Sequence, residues 1–174
     1  MPALTTAQRI RATVGVAVIF GTWFYLVFAR PTDWESVGGS SPALITLGGY
    51  VFGAILLLSA SLPILPARTI AIIPAALVLN IVIGQIVGSV GIPLYLDSVG
   101  TVLVAGLAGP IAGLATGTLS SIVWGLFNPA ALPFAAVSAM VGLLSGVMIA
   151  KGMLRNIPLT ITAGVLLGVI SGML

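Results

Sequence analysis

The stretch Gly91-Ile-Pro-Leu-Tyr-Leu-Asp-Ser-Val-Gly-Thr101 carries Asp97, the only charged residue between Arg68 and Lys151 in a glycine-rich, apolar chain. A carboxylate at membrane depth costs a few kcal/mol or more, so it belongs at an interface, in a cavity or beside a partner group. Asp97 therefore marks either the mouth of a binding site or the end of a membrane helix.

The residues on either side decide the class. With 59% hydrophobic and 5% charged residues among 174, and a mean hydropathy of +1.28, the chain cannot cover a water-soluble surface, which ordinarily needs about 25% charged side chains. The apolar runs are long, and a helix needs roughly 20 residues at 1.5 Å rise to cross the hydrocarbon core. Short alternating strands of a membrane barrel would look different. The expected fold is an all-α integral membrane protein, a polytopic helical bundle of about seven spans.

Turn chemistry divides the runs at residues 30–42, Leu65-Pro66-Ala67-Arg68, Gly91-Ile92-Pro93, Gly109-Pro110, Asn128-Pro129 to Pro133, and Lys151 to Pro158. The predicted spans are 12–29, 43–64, 69–90, 97–110, 112–127, 134–150 and 159–174. The fourth and fifth are short and joined by an uncharged Gly-Pro turn, which fits a tight hairpin. The run Thr13 to Ala29 follows Arg9 and Arg11 as in a signal peptide, but it lacks a convincing cleavage pattern and is read as a retained first helix.

Lys and Arg in short loops favour the cytoplasmic side. With the N terminus cytoplasmic, Arg9, Arg11, Arg68, Lys151 and Arg155 fall inside, and Asp33, Glu35 and Asp97 fall outside. Arg30 is the exception, beside two acids able to pair with it. The six basic residues make no stripe for nucleic acid despite a net charge of +3. The expected location is the cell membrane of a prokaryote.

Small residues recur every fourth position at Gly109, Gly113 and Gly117; Gly142 and Gly146; Gly164, Gly168 and Gly172; Gly84 and Gly88; and Ala67, Ala71 and Ala75. Such stripes let membrane helices approach closely. Internal packing is the plainer use, and docking of another membrane protein the other.

The chain has no cysteine and no histidine, which removes thiolate chemistry, disulfides and the commonest general base and metal ligand. It also lacks paired carboxylates, a nucleotide-binding glycine loop and a row of intramembrane charges. No enzymatic activity, cofactor or metal is expected. What remains is polar and aromatic material at the outer helix ends: Asn80, Gln85, Tyr95, Asp97, Ser98, Trp124 and Asn128. These could build a small-molecule site, typically apolar and aromatic with a few placed polar groups. The alternative gives Tyr95 and Trp124 to an interfacial belt, Asp97 to a helix cap, and Asn80 and Gln85 to neighbouring helices.

Residues 68–174 resemble the substrate-binding S component of an energy-coupling factor vitamin transporter. The resemblance rests on Ile73-Pro74-Ala75-Ala76-Leu77-Val78-Leu79-Asn80, Pro93-Leu94-Tyr95-Leu96-Asp97-Ser98-Val99-Gly100-Thr101, Gly109-Pro110-Ile111-Ala112-Gly113 and Trp124-Gly125-Leu126-Phe127-Asn128-Pro129. It implies a core of six helices that captures a vitamin-like molecule from outside. It also implies a membrane coupling subunit contacted through Ala71 and Ala75, and two ATPase subunits. Residues 1–65 then form an added N-terminal helical hairpin, and residues 66–174 the core. Five core spans fit where the family has six, so the core is read as incomplete at its C-terminal end. The second functional reading is a ligand-sensing membrane input domain of a larger signalling protein.

Overall fold

The computed structural model describes residues 4–29, 40–89 and 97–173. Among these residues, seven α-helices stand where the seven apolar runs were predicted: α1 (Thr6–Ala29), α2 (Ser41–Ser61), α3 (Ala67–Ser89), α4 (Val99–Ala108), α5 (Pro110–Gly125), α6 (Ala135–Ala150) and α7 (Ile157–Met173). A 3-10 turn, Leu62–Ile64, extends α2, and another, Pro129–Phe134, leads into α6. No strand occurs among the described residues.

The boundaries follow local chemistry. Ser40 accepts a hydrogen bond from the Ala43 N–H at the start of α2, with Pro42 in the first turn. Gly109 alone separates α4 from α5 at φ 88°, a left-handed conformation natural to glycine, and Pro110 opens α5 with its φ preset. Gly152 ends α6 at φ 77°, and the Asn156 side chain accepts from Leu159 N–H as α7 begins.

Among the described residues, four stretches are long and apolar enough to cross a membrane: Thr6–Ala29, Ser41–Ile64, Ala67–Ser89 and Pro129–Ala150. At 1.5 Å per residue, the 10 residues of α4 reach about 15 Å and the 16 of α5 about 24 Å, against a core of about 30 Å. The two therefore form the short hairpin expected from the Gly-Pro turn.

α5 lies at the centre, with most of its residues buried, and packs most extensively on α6. Glycine makes this possible. A β-carbon on Gly142 would strike the Gly113 backbone, one on Gly117 the Ser138 backbone, and one on Gly146 would meet Pro110. In α1 and α2, Gly15 faces Gly53 and Gly49 faces Thr22 in the same manner. Ile19, Tyr50 and Leu57 of this pair share one apolar core with Leu114, Ile122 and Leu132. The predicted stripes thus divide: those of α5 and α6 are internal packing, whereas β-carbons on Gly88 or Gly164 would meet open space.

α3 is attached by a narrow stripe, Ile73, Ala76, Asn80 and Gly84, its only buried residues. Ala71 and Ala75 are exposed on it. α7 packs on α6 and leaves Ile157, Ile161 and Val165 largely exposed.

The pairing sets the ends of the bundle. Gly84 meets Asp97, Gly113 meets Ala105 and Gly146 meets Pro110, so α3, α4, α5 and α6 alternate in direction. Arg68, the Gly109-Pro110 turn and Lys151 come to one end. Gly15 against Gly53 and Leu57 brings the Arg9 end of α1 to the C-terminal end of α2, which leads directly into α3. The basic residues among those described therefore gather at one end, and Asp97 stands at the other.

Candidate ligand-binding end

The far end is built on Gly84. A β-carbon there would lie 2.8 Å from Trp124 Cη2, 2.9 Å from Trp124 Cζ3 and 3.0 Å from Asp97 Cβ. The missing side chain is what lets the indole of α5 and the carboxylate-bearing residue ahead of α4 settle side by side on α3. The α4–α5 hairpin brings them to that level, because Asp97 precedes one arm and Trp124 closes the other. Both are half-buried. Burial pushes the Asp97 carboxyl above its ordinary value, an effect opposed by hydrogen bonds from its own backbone N–H and from Ser98.

Asp97 does not cap α4, contrary to the plainer sequence reading. Ser98 occupies the capping position and makes no side-chain capping bond. The free N–H of Gly100 is instead taken from another helix, by Asn80 Oδ1 at 2.6 Å. Asn80 Nδ2 donates to Thr101 Oγ1 and to Ser120 Oγ, both at 2.8 Å. One amide thus ties α3 to α4 and α5, and at 1% exposure it sits in the interior. Of its two sequence readings, satisfying neighbouring helices is what its bonds do. Asp97 is left free of the capping duty.

The other predicted residues divide. Gln85 is exposed next to Gly84 in the sequence, and Asn128 is exposed one turn beyond Trp124, its N–H bonded to Trp124 O at 2.8 Å. Phe127, 81% exposed, gives this end a second aromatic surface. Tyr95 lies outside the described residues, as do Arg30, Asp33 and Glu35. Sequence reasoning did not single out Thr101 or Ser120 as Asn80's partners. α5 carries Thr116, Thr118, Ser120 and Ser121, and the first two bond to carbonyls within their own helix. Ser121 pairs with Ser138 at 3.0 Å. No spacing in the sequence distinguishes the hydroxyls that reach another helix.

Chemically, the described residues of this end offer a carboxylate and an indole side by side, with exposed amides at Gln85 and Asn128. No family model, curated protein or solved structure matches the chain.

Proposed function

We propose that this chain is a multi-pass membrane protein that captures a small molecule at its Asp97–Trp124 end. The observation that carries the reading is the convergence of Asp97 and Trp124 on Gly84, with Gln85 and Asn128 exposed nearby. Asn80 acts as a positioning residue, holding the start of α4 against α3. The direct test is whether purified protein retains a small molecule and loses it in Asp97→Ala.

The reading extends to an S-component-like role: uptake of a vitamin-like compound in a complex with a membrane coupling subunit and two ATPase subunits. Its support is the quoted resemblance together with the exposure of Ala71 and Ala75 on the sparsely buried α3. A face of small residues lets another helix approach closely.

The accompanying topology has the N terminus in the cytoplasm and the Asp97 end outside, with α4 and α5 as a short hairpin between α3 and α6. Because the chain contains no cysteine, single cysteines report on it without background. Asn128→Cys should react with a membrane-impermeant maleimide on intact cells, and Lys151→Cys only after the cells are opened. The reverse pattern would invert the topology and place the binding end in the cytoplasm.

A further inference from the structure

We infer that the Asp97–Trp124 site takes a compact organic cation, an assignment that rests on the binding role proposed above. Asp97 is the only acidic side chain among the described residues, and it faces no cationic partner there. The described basic residues, Arg9, Arg11, Arg68, Lys151 and Arg155, all gather at the opposite end of the bundle.

An anionic ligand would meet a half-buried carboxylate with no base beside it among the described residues. A neutral ligand would further desolvate that carboxylate without compensation, and the loss opposes binding. A cation reverses both effects, because its charge repays the desolvation of Asp97. Trp124 adds a second attraction of the same sign: its ring is seated beside Asp97 on Gly84, and indole faces attract ammonium and pyridinium groups.

The test separates charge from shape. Nicotinate, nicotinamide and 1-methylnicotinamide, methylated on the pyridine nitrogen, share one ring and differ in carrying a negative, zero or fixed positive charge at neutral pH. Binding of each is measured by titration calorimetry on the full chain in nanodiscs of zwitterionic lipid. The cation should bind at least tenfold more tightly than nicotinamide, with nicotinate weakest. Asp97→Asn should remove most of that preference, and Trp124→Leu should weaken the cation.

Equal or tighter binding of nicotinamide or nicotinate, still dependent on Trp124, would overturn the cation assignment and leave the binding role standing. A cation preference that survives Asp97→Asn would overturn it too. Binding of none of the three would also overturn it, and if the purified protein retained no molecule either, the binding role would fall with it.

Discussion

Gly142→Leu is expected to abolish a folded, monodisperse protein. A β-carbon at Gly142 points at Gly113 O and C and at Leu114 N, all backbone atoms, so no rotamer change relieves the clash. The helices would have to separate along their most extensive contact, and overpacking that cannot relax falls among the largest single-residue effects, about 4 kcal/mol or more. Separation also forfeits the close approach that replaces hydrophobic driving force inside a membrane. Gly164→Leu, with the same change of side chain, meets nothing within 4 Å on α7 and should leave the protein intact. Fluorescence-detected size exclusion of the two variants decides the matter. A monodisperse Gly142→Leu peak at the wild-type position would show that α5 and α6 do not pack through their glycines.

Asn80→Leu is the second large effect. It removes the bonds to Thr101, Ser120 and Gly100 and leaves two hydroxyls and an amide N–H in the interior. Interhelical hydrogen bonds in membranes average only about 0.6 kcal/mol, which sets a lower limit near 2 kcal/mol for three. The unmet Gly100 N–H adds about 1–3 kcal/mol, because a helix N-terminal donor loses its acceptor. The sum, about 3–5 kcal/mol, corresponds to a fall in Tm of roughly 6–20 °C for a chain of this size. Thr101→Val and Ser120→Ala each remove one bond and should cost about 1 kcal/mol or less. Equal Tm values for Asn80→Leu and wild type in thermal unfolding would show that the amide does not hold α3 in place.

The helices were legible in the sequence because glycine and proline act locally. Gly109-Pro110 turns the chain by its own dihedral preferences, and Pro129 and Pro158 open new elements wherever the rest of the molecule lies. The main local difference is that Pro129–Phe134, read as a loop, winds into a 3-10 segment continuous with α6. Glycine stripes were visible as stripes, yet Gly117 and Gly164 look alike in a sequence and only their neighbours distinguish them. The same limit applied to Asn80 and Asp97. Placing Asp97 immediately ahead of an apolar helix is a sound local argument for a cap, but an amide 20 residues earlier in the chain reached the Gly100 N–H instead. The site was legible as a set of residue types. Its assembly depends on Gly84, whose absent side chain admits two residues from other segments, a relation that no periodicity within α3 expresses.

That assembly is tested most directly by native mass spectrometry of the protein purified from cells grown in rich medium, comparing wild type with Asp97→Ala. Wild type should carry a bound small molecule. Asp97→Ala should run as a monodisperse peak of unchanged Tm and should have lost at least nine-tenths of that adduct. An adduct of equal occupancy in both proteins, or a wild-type protein that carries none, would contradict the assignment of the Asp97–Trp124 end as the binding site.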